Sequence, residues 1–208
     1  MLRKLIVTLI VIAAVLAAID YGARLYSQRV VAEQVQASLH LVDRPKVTFG
    51  GWPFIPHALS GNLPSATVTA TEFRAQGVTL NQVVLSLEDV HFSSHRMFTK
   101  GYGKVQAKRG SLTAVLTQTD LNQTLRSEGL PLTVTFQGGT ATATVAGASL
   151  SVHPSLDGDT LVLTTGSVSA RIGLPTPMRG MHYTQLKVGG GEISLTASAR
   201  NVLLILPK

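Results

Sequence analysis

Arg3 and Lys4 stand ahead of an apolar run, Leu5 to Ile19, that only Thr8 interrupts, and this run limits what the rest of the chain can be. A basic end followed by a hydrophobic stretch is the pattern of an export or anchoring signal, so the remainder reads as an extracytoplasmic domain. As a helix the run is about 22 Å long, short of a ~30 Å hydrocarbon core, which suits a signal-peptide core. The best cleavage candidate, Val15-Leu16-Ala17, is only a fair match to the small-residue pattern, and Asp20, Tyr21 and Arg24 follow it at once. Helical periodicity also runs on: Arg29, Glu33 and Gln36 share one side, and Leu25, Val31, Val35 and Leu39 another. The preferred reading is one helix that leaves the bilayer and enters the domain, its amino end cytoplasmic; a cleaved leader is the alternative. Residues 1–22 are thus the signal anchor or signal peptide, and 23–208 the domain.

There is no cysteine, which excludes disulfides, a thiolate metal site and a lipidated cysteine, so packing alone must hold the domain. Thr, Ser, Gly, Val, Leu and Ala dominate while aromatic residues are only 5%, a β-rich balance. The net charge of +7 falls to +5 without Arg3 and Lys4, which favours an anionic surface such as lipid headgroups and gives no case for nucleic acid.

The turn at Asp43-Arg44-Pro45 leads into a strand at Lys46 to Phe49. Ala66, Val68 and Ala70 alternate with threonines, and Val83, Leu85 and Leu87 with Val84, Ser86 and Glu88, the period of strands with one buried face. Further strands are expected at Lys104 to Ala107, Ser111 to Thr117, Leu132 to Phe136, Thr140 to Val145, Ser149 to His153, Thr160 to Thr164, Ser167 to Arg171, Gln185 to Val188 and Glu192 to Ala199. Turns are expected at Gly110, Gly138-Gly139, Asp157-Gly158-Asp159 and Gly189-Gly190-Gly191, giving an antiparallel meander. One helix interrupts it, with Thr119 as N-cap, Leu121 and Leu125 on one face and Gly129 closing it. Val202 to Leu206 is continuous hydrophobe, a strand or a lipid-touching tail.

Several pieces occur together: Asp20 after the membrane run, the amphipathic helix, Gly50-Gly51-Trp52-Pro53-Phe54, Leu59-Ser60-Gly61-Asn62-Leu63, Leu85-Ser86-Leu87-Glu88-Asp89-Val90, and Thr119-Asp120-Leu121-Asn122. In this order, over nearly the whole chain, they resemble the LmeA-like family of actinobacterial envelope proteins. The resemblance implies an α+β domain in which a strongly curved antiparallel sheet, similar to tubular lipid-binding domains, wraps against the long N-terminal helix. It implies phospholipid binding, and the founding member is linked to elongation of mannan on lipid-anchored glycans.

Three groups of residues are candidates for lipid contact. Trp52, Phe54 and Ile55 gather bulky hydrophobes in a proline-rich turn, either as a plug on the core or as a lip touching the membrane. Between Asp89 and Asp120 no acidic residue occurs, while Arg96, Lys100, Lys104, Lys108 and Arg109 do, interleaved with Phe92, Met97, Phe98 and Tyr102. Such a segment suits anionic lipid, or is the solvated face of a hairpin with its aromatics in the core. Pairs of small residues, Ala66 and Ala70, Ala141 and Ala143, Ala197 and Ala199, leave room either for an acyl chain or for the Leu25, Val31, Val35 and Leu39 stripe.

Catalytic signatures are poor. His91 and His95 lack the glutamate of a HExxH helix, no Gly-x-Ser-x-Gly elbow occurs, Gly189-Gly190-Gly191 lacks the Lys of a phosphate loop, and Asp157 and Asp159 read as a hairpin turn. No cofactor or metal is called for. The expectation is a non-enzymatic binder of phospholipid or lipid-linked glycan at a membrane with anionic headgroups. An enzyme or accessory of lipid-linked glycan elongation and a structural envelope interaction protein are the alternatives; no protein partner can be read from the sequence.

Overall fold

The computed structural model describes residues 2–75, 77–95, 103–130, 132–137, 139–145, 147–166, 168–175 and 180–206. Helix α1 (Leu2–Leu39) is continuous, and the side chains of residues 6–19 are all exposed. It ends where His40 turns left-handed (φ 52°) and the Leu41 N–H donates to the Gln36 carbonyl at 3.0 Å.

Strands β1 (Lys46–Phe49), β2 (Asn62–Ala75), β3 (Val78–Phe92), β4 (Gly103–Thr117), β10 (His182–Gly189) and β11 (Glu192–Leu206) make a six-stranded sheet in the order β1-β2-β3-β4-β11-β10. Strands β5 (Leu132–Gln137), β6 (Thr140–Val145), β7 (Ala148–Asp157), β8 (Thr160–Thr165) and β9 (Val168–Gly173) make a second sheet in sequence order. All pairings are antiparallel. Helix α2 (Phe54–Ser60) lies between β1 and β2, and α3 (Gln118–Ser127) joins the sheets. The class is α+β as expected, with two sheets where one curved sheet was implied.

The first sheet carries a crease, where the inward and outward alternation of four strands breaks together. Pro64, Asp89, Lys108 and Asn201 lie between two rows of paired residues, Leu63–Val90–Ala107–Val202 and Ser65–Glu88–Arg109–Arg200. There burial jumps by three on every strand, from Leu63 to Ala66, Leu87 to Val90, Ala107 to Gly110 and Ala199 to Val202, so two successive residues face outward. Asp89 and Asn201 supply the break with φ of 50° and 54°. Asp and Asn tolerate this conformation better than other side chains. A lesser break follows at Glu72 (φ 49°), where the core face passes from Ala70 to Phe73.

This crease corrects the expected turn at Gly110. Residues 103–117 are one strand, as are 192–206, and Gly110 is buried inside. A Cβ at Gly110 would come within 2.7 Å of the Met181 Cε and 2.8 Å of the Val202 Cγ2, so glycine is needed for close packing rather than for a turn.

The helix cap also moves. Thr117, not Thr119, caps α3: its Oγ1 accepts from the Asp120 N–H at 3.2 Å and donates to the Asp120 Oδ2 at 2.6 Å. Leu121 and Leu125 are fully buried. Asn122 stitches α3 to β5, its Nδ2 donating to the Val134 carbonyl at 2.8 Å and its Oδ1 accepting from the Val134 N–H at 2.7 Å. The Gln118 Oε1 accepts from the Phe136 N–H at 3.0 Å, so two side chains satisfy β5, an edge strand of its sheet. Tyr183 ties β10 to the loop after β9 by donating to the Pro175 carbonyl at 3.0 Å, and burial, with Asp159 adding to it, pushes its hydroxyl up to about 12.

The expected stripe on α1 is only partly used. Val31 packs on the core and Val35 is half-buried, but Leu25 and Leu39 are exposed, and the helix face toward the domain carries Asp20, Ala23, Arg24, Val31 and Ala32. The helix packs on β1 and α2, at the edge of the first sheet, so the stripe does not fill a hollow between helix and sheet. The small residues Ala66, Ala70, Ala141, Ala143 and Ala197 are buried in the core. Replacing Asn122 with Leu leaves the Val134 N–H and carbonyl buried without partners; urea unfolding of the full chain should show a loss of about 2–4 kcal/mol.

Candidate functional site

Where the apolar run of α1 stops, the domain begins. Asp20 is 6% exposed, and each of its oxygens accepts from the start of α2: Oδ2 from the Phe54 N–H at 2.8 Å and Oδ1 from the Ile55 N–H at 2.7 Å. Helix α2 needs this partner because its own cap position is Pro53, which offers no side-chain acceptor. Arg24, one turn further on, donates from Nη2 to the Phe49 carbonyl. A helix start without a cap of its own is thus completed by a carboxylate 34 residues earlier.

The Trp52 turn divides between the two roles the sequence left open. Phe54 is buried and stacks on Phe49 with ring centroids 5.7 Å apart, so it is a core side chain and not part of an exposed lip. Ile55 is half-buried against the core, and Trp52 is 75% exposed. At the far end of α2, Gly61 (φ 73°) closes the helix and its carbonyl accepts from the Phe92 N–H at 2.8 Å, which fixes α2 to the end of β3.

The basic segment is described at its two ends. Phe92 is half-buried on the core; Lys104 and Lys108 are exposed, and Lys108 lies 3.6 Å from Asp89. Arg96, Met97, Phe98, Lys100 and Tyr102 lie outside the described residues. Ser93 and Lys104, which bracket them, line one depression of about 300 Å³ with Ser60, Gly61, Asn62 and His91. The Asn62 Oδ1 and His91 Nδ1 are hydrogen-bonded there. Another depression, about 390 Å³, lies in the crease between Ser86, Ser111 and Ser198 and the row Glu88, Arg109 and Arg200, with Glu88 and Arg109 2.6 Å apart. Neither depression is an apolar hollow. The Asp157-Gly158-Asp159 turn is used internally: Asp157 pairs with Arg171 and Asp159 with the His182 Nδ1 at 3.2 Å.

The sequence named the Trp52 turn and the basic segment but missed Asp20 as the group that holds α2. A signal was there: a carboxylate directly after an apolar run, and a proline at a helix start with no capping side chain.

A long exposed apolar helix clasped to a creased two-sheet β domain defines the class, an α+β protein with an N-terminal helix long and apolar enough to cross a membrane. The chain belongs to the LmeA-like phospholipid-binding family, whose model matches residues 18–198. No curated protein and no solved structure matches it.

The burial of the Trp52 turn makes a sharp contrast. Phe54→Ala should cost about 3–5 kcal/mol through the lost ring and its cavity. Trp52→Ser should stay within about 0.5 kcal/mol of the parent in the same denaturation assay, because little of the ring is packed.

Proposed function

We propose that this protein is a membrane-anchored phospholipid-binding protein that works at the extracytoplasmic face in cell-envelope biogenesis, by binding rather than catalysis. Its ligand is a phospholipid, or the lipid part of a lipid-linked glycan. The observation that carries this reading is a convergence at one end of the domain: the apolar part of α1 ends at Asp20, Asp20 holds α2, and α2 is fixed to the end of β3, where the basic segment begins. Membership of a phospholipid-binding family supports the ligand class and the absence of chemistry.

The residues then have separate tasks. Residues 6–19 sit in hydrocarbon, where each methylene removed from water contributes about 0.8 kcal/mol. Trp52, Ile55 and Phe92, with Met97, Phe98 and Tyr102, offer apolar contact beside the bilayer. Arg96, Lys100, Lys104 and Lys108 draw in anionic headgroups, each contributing about 1 kcal/mol near such a surface; Lys108 contributes less while Asp89 is its neighbour.

Native mass spectrometry of the full chain released gently from membranes should show co-purified phospholipid. Reversing Lys100, Lys104 and Lys108 to Glu should weaken binding of anionic lipid about tenfold or more and leave neutral lipid nearly untouched. Equal loss for both lipids, or none, would remove headgroup attraction from the account.

A further inference from the structure

Asp20 fixes the height at which the domain meets the bilayer. From Arg3 to Asp20 the helix rises about 26 Å, so with the Arg3 and Lys4 side chains reaching out to one interface of a ~30 Å hydrocarbon core Asp20 falls near the other. Asp20 itself makes the hydrogen bonds of α1 to α2, with no linker between the apolar run and the clasp. The headgroup layer on each side is roughly 5–8 Å deep, and α2, seven residues long, spans only about 10 Å. A domain clasped at Asp20 therefore has its α2 end at the bilayer surface whichever way it leans.

The side chains there fit that place. Trp52, two residues ahead of the clasped Phe54 N–H, is exposed; so are Leu59 on α2 and Tyr21 and Leu25 on α1 beside the clasp. Tryptophan and tyrosine gather at membrane interfaces because an apolar ring with a polar edge is matched to that layer. Pro53 and Pro56 are exposed in the same turn, and the α2 segment carries no charged residue apart from His57.

We propose that Asp20 is a positioning residue that seats α2 and Trp52 in the phospholipid headgroup layer of the leaflet from which α1 emerges. The occupant of this apolar face is the bilayer itself, as the continuity of the face with the exposed apolar run of α1 requires. The proposal rests on the reading of α1 as a membrane anchor and adds to it a fixed orientation of the domain.

Trp52 is the chain's single tryptophan, so its fluorescence reports this face without labelling. The full chain is reconstituted in phosphatidylcholine–phosphatidylglycerol vesicles, with and without phosphatidylcholine brominated near the top of its acyl chains, and iodide is added in parallel. Bromolipid should lower the emission roughly twofold or more, with iodide nearly without effect. Asp20→Ala should recover most of that emission while far-UV circular dichroism and flotation with vesicles stay unchanged; Asp20→Asn, which keeps one acceptor oxygen, should fall between.

Emission quenched by iodide alone would overturn the proposal, as would emission reached by neither quencher, which means that protein covers the ring. Quenching by bromolipid that is the same in the parent and in both Asp20 variants would remove Asp20 from it. Flotation separates the two levels: a chain that floats with an unquenched Trp52 keeps its anchor and loses the seating, and a chain that alkaline carbonate strips from the vesicles loses both.

Discussion

Burying a carboxylate is costly, and Asp20 is buried at the point where an apolar helix meets a β domain. The cost is offset because both oxygens take charge-assisted hydrogen bonds from backbone N–H groups at a helix start, where such donors otherwise go unpaired. Removing either side leaves the other stranded. The Arg24 bond to Phe49 and the stacking of Phe54 on Phe49 close the same joint, so β1, α1 and α2 meet within one turn of helix. All that is proposed about the orientation of the domain passes through this joint.

The rest of the fold is arranged to keep that joint at one end. The crease through β2, β3, β4 and β11 breaks their alternation, and the row beyond it, Leu63, Val90, Ala107 and Val202, leads to the strand ends that α2 and the basic segment border. At the other end α3 and its side-chain bonds to Val134 and Phe136 hold the second sheet in place. Charges on the crease are paired across strands, Glu88 with Arg109 and Asp89 with Lys108, in exposed positions where each pair contributes at most about 1 kcal/mol. They suit the outward-facing double step of each strand more than they hold it together.

Much of this was legible in the sequence where a physical period was intact. The alternation at Ala66 to Ala70 and Val83 to Leu87 marked β2 and β3, and the long helix followed from an apolar run with helical spacing continuing beyond it. It failed where the period broke for a tertiary reason. Two outward residues in succession at Lys108-Arg109 and Arg200-Asn201 look like the end of a strand, and a buried glycine looks like a turn, because nothing local shows that Met181 and Val202 press on Gly110. The helix stripe was misplaced because Leu25 and Leu39 are apolar without being buried by protein. Of the candidate site, Trp52 and Phe54 could be named as a pair but not separated, since which ring is stacked depends on Phe49 and on Asp20 far along the chain.

The central claim, that the Asp20 carboxylate joins the apolar helix to the domain, is open to direct measurement by hydrogen–deuterium exchange of the full chain in lipid. The account predicts that the Phe54 and Ile55 amides are strongly protected although no acceptor within α2 is available to them, and that Asp20→Ala releases these two while the amides of β3 and β4 keep their protection. Phe54 and Ile55 amides that exchange as fast as an open loop in the parent protein would contradict it.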